Sequence, residues 1–248
     1  MGRIFWPQIK VIYGGSLVSD FDGWEGKSWE QQDIIDGGLV AGMSATLDRN
    51  DSQPKKGDVL PPCWHWMYFR DNTRQSKLGK DGHGARGGNM PKIPLPRRMW
   101  AGSNIKFLSS LRIGETALKR TLIKSITPKM GKSGHLIFVN LQHTILNSIE
   151  EVAIKEEQNL VYREAPKLSS ATKNNTTIPW QATWTRKVDP HPVLLFRYSA
   201  LTFNPHRIHF DRRYSTEAEG YPGLVVHGPL IATLMVDLCR RNCGVTVT

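Results

Sequence analysis

The chain has 248 residues and is 39% hydrophobic, which allows one large or two small domains around a sizeable core. Its three cysteines are an odd number and predict no disulfide framework, so we expect a reducing, cytoplasmic location. No apolar run approaches the roughly 18 residues of a membrane span, so the sequence predicts no membrane-spanning segment.

The formal net charge is +11, and the positive charge is concentrated between residues 67 and 133. That region contains fifteen Lys or Arg residues and three Asp or Glu residues. Such a surface attracts nucleic acid, but it also suits a ligand that carries several phosphates, such as coenzyme A. An ordinary solvated face is the third interpretation. The sequence contains no nucleic-acid-binding motif, so we expect no nucleic-acid partner.

The first two thirds of the chain show one helical pattern and then several strand patterns. Residues 31–47 are predicted to form a helix. Residues 77–96 are predicted to form a long loop rich in Gly, Pro and Lys, and a loop of this length is either functional or disordered. A helix followed by antiparallel strands indicates an α+β fold. The predicted strands are 97–108, 118–126, 136–144 and 152–163.

The last third begins with a polar linker, residues 166–180, after which a second set of strands is predicted. Residues 181–188 begin this set, and residues 193–199 alternate at period two, as a half-buried strand does. Asn204-Pro205 favours a turn. Gly228-Pro229 is a good helix start, and the following helix is predicted to bury one face. The residues of that face are Leu230, Ile231, Leu234, Met235 and Leu238.

Residues 198–211 (YSALTFNPHRIHFD), with the His227-Gly228 dipeptide, carry a resemblance to a known family. They resemble the signature of the MaoC-like (R)-specific enoyl-CoA hydratases. Two positions depart from that signature: Phe203 replaces a glycine, and Asn204 stands where the family has a catalytic aspartate. Upstream, residues 60–66 (LPPCWHW) and 94–102 (PLPRRMWAG) resemble the itaconyl-CoA and mesaconyl-C4-CoA hydratases and related 3-hydroxyacyl-thioester dehydratases.

The resemblance implies a double hotdog, in which an antiparallel sheet wraps a central helix twice. The first unit would cover residues 1–165, the linker residues 166–180, and the second unit residues 181–248. The second unit is expected to be truncated, because few residues follow its helix. An apolar helix without covering strands would aggregate, so a homo-oligomer is expected.

The resemblance also implies a site. Hydration of an enoyl thioester needs a base for the water, an acid for the α-carbon and donors to the thioester oxygen. His209 would be the base, Asn204 would position the water, and the backbone N–H of Gly228 would bind the oxyanion. Arg97 and Arg98 are expected to bind a substrate carboxylate, and Asp211 to orient His209 or contact the substrate.

The remaining histidines of the signature, His206 and His227, are expected to have structural or capping roles. No zinc-ligand spacing is present, so we expect no metal and no cofactor beyond the coenzyme A of the substrate. Three functions stay open: a hydratase of short branched dicarboxylic enoyl-CoA, a dehydratase of longer 3-hydroxyacyl thioesters on coenzyme A or acyl carrier protein, and a non-catalytic truncated remnant.

Overall fold

The computed structural model describes residues 21–84, 87–131, 134–164 and 181–243. Five strands form one antiparallel sheet in the order β1-β3-β4-β5-β2. The predicted α+β class and all four predicted strands are confirmed, with β3 and β4 longer than expected. The strands are β1 Ser28–Ile34, β2 Arg97–Phe107, β3 Thr116–Gly131, β4 Gly134–Leu146 and β5 Val152–Arg163, and the helices are α1 Gly37–Thr46, α2 Pro192–Leu201 and α3 Gly228–Asn242.

The helix predicted over 31–47 exists only from residue 37 onward. The earlier residues belong to β1, in which Ser28 lies opposite Leu122 and Ile34 opposite Thr116 of β3. Pairing with β3 therefore overrides the apolar spacing that had favoured a helix. The Asp36 side chain then accepts the N–H groups of Gly38 and Leu39, which fixes the start of α1.

The strand predicted over 193–199 is wrong, because these residues form α2. His191 caps the helix by accepting the Leu194 N–H at Nδ1, and Pro192 occupies the first turn. Leu194, Leu195 and Tyr198 are buried at helical spacing, whereas Phe196, which the period-two pattern placed inside, is 60% exposed. Residues 181–188 also contain no strand, so that second expectation is wrong as well.

The helix predicted at Gly228 is confirmed as α3, but its buried face differs from the prediction. Leu230, Thr233 and Asp237 are buried, while Ile231 and Met235 are exposed. The polar members of the buried face have partners. Thr233 donates to the Pro229 carbonyl. Asp237 forms ion pairs with Arg49, Arg186 and Arg241.

One hydrophobic core joins the sheet to all three helices. It contains Met43 of α1, Ile145 of β4, Leu195 of α2 and Leu230 of α3. Residues on both sides of the predicted linker therefore pack together. The division at 166–180 and the incompleteness of a second hotdog stay predictions. None of the described helices is long and apolar enough to cross a membrane.

Candidate active site

The turn after α2 has a left-handed residue at the position where the signature has a glycine. Phe203 has φ +51°, the left-handed region in which glycine is favoured, so the residue that replaces the family's glycine is strained by roughly 1–2 kcal/mol. The Asn204 N–H donates to the Ser199 carbonyl (2.8 Å), and its Oδ1 accepts the His206 N–H (3.0 Å). With Oδ1 in use, Asn204 offers its amide N–H groups to a ligand.

His209 is buried directly after this turn in a defined tautomer. Its Nδ1 lies 2.6 Å from the Val225 carbonyl, an acceptor, so Nδ1–H donates and Nε2 keeps its lone pair. Burial lowers the pKa of His209 to about 4, against the opposing effect of the Val225 hydrogen bond. The imidazole is therefore neutral near pH 7, with Nε2 unprotonated and able to accept a proton.

His209 lies in a row of four imidazole rings. Ring centroids are 4.5 Å apart for His83 and His206, 5.4 Å for His206 and His209, and 3.6 Å for His209 and His227, which are stacked. Burial lowers the pKa of His206 to about 3 and that of His227 to about 2. The rings of His206, His209 and His227 therefore stay uncharged at neutral pH.

His83 reaches this row because the loop before β2 docks on the turn. Gly82 has φ +93°, and a Cβ at this position would meet the Pro205 carbonyl oxygen at 1.9 Å, so only glycine fits. The Arg207 N–H also donates to the Asp81 carbonyl at 3.0 Å. His83 Nδ1 lies 3.1 Å from Asp81 Oδ2. Burial would raise the pKa of Asp81, but the hydrogen bond and charge of His83 outweigh it and lower the pKa to about 2.

Gly228 begins α3 against Trp100 of β2. Its N–H belongs to the first helical turn, where donors have no partner within the helix, and no described acceptor binds it. A Cβ on Gly228 would lie 2.5 Å from Trp100 Cε3. The glycine thus allows the helix to start in contact with the indole and leaves an N–H donor for a ligand.

We expect Gly228→Ala to destabilise the fold by roughly 1–3 kcal/mol, the usual cost of overpacking, because both backbone and indole would have to move. Gly223→Ala is the matched control, since its added Cβ would lie 3.5 Å from an Arg212 nitrogen, an ordinary contact. Urea denaturation of both variants measures the difference. Equal midpoints for the two would contradict the close approach.

The other predicted site residues differ in whether another side chain already binds them. Arg97 is bound by Glu219, with Nε 2.8 Å from Oε2, so its guanidinium already has a carboxylate. Asp211 pairs with Arg207 (2.7 Å) and accepts the Tyr214 N–H. The Val225 carbonyl therefore orients His209, in the place predicted for Asp211. Arg98 has no ion-pair partner within the described ranges, and its role in substrate binding stays a prediction.

Two cavities share walls beside the turn. The loop cavity, about 820 Å³, is lined by residues of the 79–91 loop and by Arg97, Arg98 and Tyr214. The sheet cavity, about 480 Å³, is lined by Asn204 and by residues of the sheet, together with residues of the 65–84 segment. His209 and Gly228 line neither cavity, whereas His83 lines both. The sheet residues of the sheet cavity are Lys119, His143, Ile145, Glu156 and Gln158.

Glu156 is the buried carboxylate in the sheet wall. It accepts hydrogen bonds from Ser103 Oγ (2.5 Å) and Trp66 Nε1 (3.2 Å), and His65 Nε2 lies 3.4 Å away. Burial would raise its pKa, but His65 and the other donors lower it to about 2. Across the strand pair, burial lowers the pKa of His143 to about 4. The wall therefore contains a satisfied carboxylate and a neutral imidazole.

Asp81, His83 and His206 place three potential metal ligands within 4.8 Å of one another. Neutral imidazole and carboxylate suit zinc and related divalent ions. Asp81 and His83 already bind each other, which accounts for the arrangement without an ion. The expectation of no metal and no cofactor stays a prediction.

The sequence analysis missed His83 and Lys119. No local pattern marks His83, because its contact with His206 joins distant parts of the chain. A signal for Lys119 was present but was not used: in β3 it shares parity with Ala117, Thr121 and Ile123, which are all buried, so the alternation of the strand places it on the inward face.

The comparisons with known proteins identify the family. A family profile described as hydroxyacyl-thioester dehydratase type 2 matches residues 63–248. The chain belongs to this family. It is 46% identical over 224 residues to the mesaconyl-C(4)-CoA hydratase of Chloroflexus aurantiacus, an alignment that covers 90% of this chain and 80% of that protein.

Solved structures show the fold of this hydroxyacyl-thioester dehydratase family member. A MaoC-like dehydratase from Phytophthora capsici is 12% identical with a TM-score of 0.63, over 92% of this chain and 78% of that one. A Mycobacterium tuberculosis protein with a double hotdog fold is 13% identical with a TM-score of 0.51, over 88% and 74%. The predicted resemblance and the hotdog fold are confirmed, and the protein is an enzyme of the hydratase and dehydratase class.

Proposed function

We propose that the enzyme adds water to the double bond of a short, branched enoyl-CoA that carries a free carboxylate, of the mesaconyl-C4-CoA or itaconyl-CoA type. The observation that carries this proposal is the 46% identity to a mesaconyl-C(4)-CoA hydratase over most of both chains. The two adjoining cavities support it. The loop cavity lies in the basic region and suits the phosphates of coenzyme A, and the sheet cavity suits a small acyl group.

In the proposed reaction, His209 Nε2 takes a proton from water, and the resulting hydroxide forms a bond to the β-carbon. The α-carbon then receives a proton from the imidazolium, which returns His209 to its neutral form. The N–H of Gly228 stabilises the negative charge that develops on the thioester oxygen. Asn204 donates to the water oxygen but takes no proton, so His209 carries both proton transfers. The buried neutral state of His209 supports this assignment.

Dehydration of longer 3-hydroxyacyl thioesters is the second candidate, and the description of the matching family favours it. The chemistry is the reverse reaction, and the two candidates differ in the acyl group. The third candidate is a truncated protein without catalytic activity, and the observation in its favour is Asn204 at the position where the signature has a catalytic aspartate.

We further propose a cytoplasmic homo-oligomer, since a second copy would cover Ile231 and Met235, which are exposed on α3.

The test is turnover of a panel of thioesters. Hydration is measured as a loss of the enoyl-thioester absorbance, and dehydration is measured as a gain. We expect hydration of mesaconyl-C4-CoA or itaconyl-CoA to have a higher kcat/KM than dehydration of 3-hydroxyoctanoyl-CoA. His209→Ala, purified in parallel, is the control for contaminating hydratase. A preference for the long 3-hydroxyacyl thioester would favour the second candidate, and no turnover of any thioester would favour the remnant.

A further inference from the structure

The sheet cavity contains a cation that the proposed chemistry does not use. Lys119 lies on β3, and burial lowers the pKa of its ammonium to about 8, although Glu156 and Asp33 act in the opposite direction. In the described part of the chain, Nζ has no hydrogen bond and no ion pair. Its contact is with the Phe69 ring, whose centroid is 5.3 Å away. A desolvated ammonium without an acceptor is costly, and an anionic ligand would relieve that cost.

Glu156 does not neutralise this ammonium by contact, because the two side chains form no ion pair. The carboxylate oxygens of Glu156 are bound by Ser103, Trp66 and His65 instead. Lys119 is therefore a cation on the sheet wall with unused hydrogen-bonding capacity.

A second cation lies at the boundary of the two cavities. Arg98 lines both of them, as Lys119 does, and it has no described carboxylate partner, in contrast to its neighbour Arg97. Asn204 lines the same cavity as both cations. An acyl group held near Asn204 would thus have a charged end within reach of an ammonium and a guanidinium.

We propose that Lys119, together with Arg98, binds the free carboxylate of the acyl group, so that the sheet cavity selects thioesters of unsaturated diacids over uncharged ones. This inference rests on the proposed function for its substrate, and it adds the residue that recognises the charged end. A carboxylate accepts charge-assisted hydrogen bonds from both groups. Its binding leaves the hydration step unchanged, since water still adds across the same double bond.

The kinetic test compares two substrates that differ in one group. Mesaconyl-C4-CoA has a carboxylate where 3-methylcrotonyl-CoA has a methyl group. Lys119→Met should lower kcat/KM for mesaconyl-C4-CoA by about 10- to 100-fold, the loss expected for a hydrogen bond to a charged group. The value for 3-methylcrotonyl-CoA should change by less than about threefold. Lys119→Arg keeps the charge and should retain part of the preference.

Lys129→Met is the matched control. Lys129 is on the same strand, its Nζ lies 5.2 Å from the Phe138 ring centroid, and it lines neither cavity. This variant should keep the wild-type preference for the carboxylated substrate. An equal loss on both substrates in Lys119→Met would overturn the inference, because it would indicate a general defect.

A binding measurement separates this inference from the proposed function. Titration calorimetry should show tighter binding of succinyl-CoA than of butyryl-CoA to the wild type, and loss of that difference in Lys119→Met. If the wild type turns over no thioester but shows this Lys119-dependent preference, the proposed function fails and the carboxylate site stands. If the wild type binds both thioesters equally, the inference fails whatever the turnover.

Discussion

His209→Ala should lower kcat for hydration by about 100- to 10,000-fold, the usual contribution of a positioned acid-base group. The structure gives this residue one tautomer, with Nδ1–H bound to the Val225 carbonyl and Nε2 unprotonated, which is the state that the proposed base requires. We expect no carboxylate to share the proton transfers, because Asn204 stands where the signature has an aspartate. Steady-state kinetics on mesaconyl-C4-CoA, with folding checked by circular dichroism, measure the effect.

The control is His135→Ala, a histidine on β4 that lines neither cavity and should keep wild-type turnover. Asn204→Ala should cost about tenfold or less, through lost positioning of water. Asn204→Asp would restore a carboxylate and should raise kcat. A folded His209→Ala enzyme with wild-type turnover would show that the base is elsewhere. If the wild type is inactive and Asn204→Asp restores turnover, the wild-type protein is a non-catalytic remnant.

The pH dependence of kcat/KM tests the protonation state of His209. The imidazole is the active base when neutral, and burial lowers its pKa to about 4 from an ordinary value near 6.5. Over the range in which the enzyme stays folded, kcat/KM should therefore stay level as pH falls from 8 to 5. A decline centred near 6.5 would instead indicate a solvent-exposed histidine.

The positions of β2 to β5 were predictable from the sequence because each of these strands carries its own local pattern, whereas β1 was predicted as part of a helix. β2 and β5 begin and end within a residue of the predicted bounds. Local pattern failed where the decisive group was capping or a distant partner. Residues 193–199 alternate at period two, yet the His191 cap and Pro192 start a helix that buries Leu194, Leu195 and Tyr198.

The site was predictable in its motif residues and not in its neighbours. The turn around Asn204 and His209 was expected from the signature, and Phe203, which stands at the glycine position of that signature, has a left-handed backbone. The docking of the Asp81–His83 loop depends on Gly82 fitting against Pro205, a contact between segments far apart in sequence. No local rule predicts such a contact, so His83 could be found only in the fold.

The buried face of α3 also departs from the apolar pattern, and a second large effect is expected there. Asp237 has a side chain with no exposed surface, and it binds Arg49, Arg186 (3.0 Å) and Arg241 (2.7 Å). Arg186 and Arg241 also donate to the Leu47 carbonyl, at 3.1 and 2.9 Å. This cluster therefore ties α3 to the end of α1 and to the segment before α2.

Asp237→Asn should lower the free energy of unfolding by roughly 3–5 kcal/mol, because it removes the charge that balances three partly buried guanidinium groups. Arg186→Gln removes one partner of three and should lower the free energy of unfolding by less. The urea midpoint should therefore be highest for the wild type, lower for Arg186→Gln and lowest for Asp237→Asn. Glu217→Gln is the control: its pair with Arg213 is exposed on both sides and should be worth less than about 1 kcal/mol. If Asp237→Asn unfolds at the same urea concentration as Glu217→Gln, the arginine cluster does not hold α3 in place, and the apolar contacts of Leu230 and Leu234 with the core must do so instead.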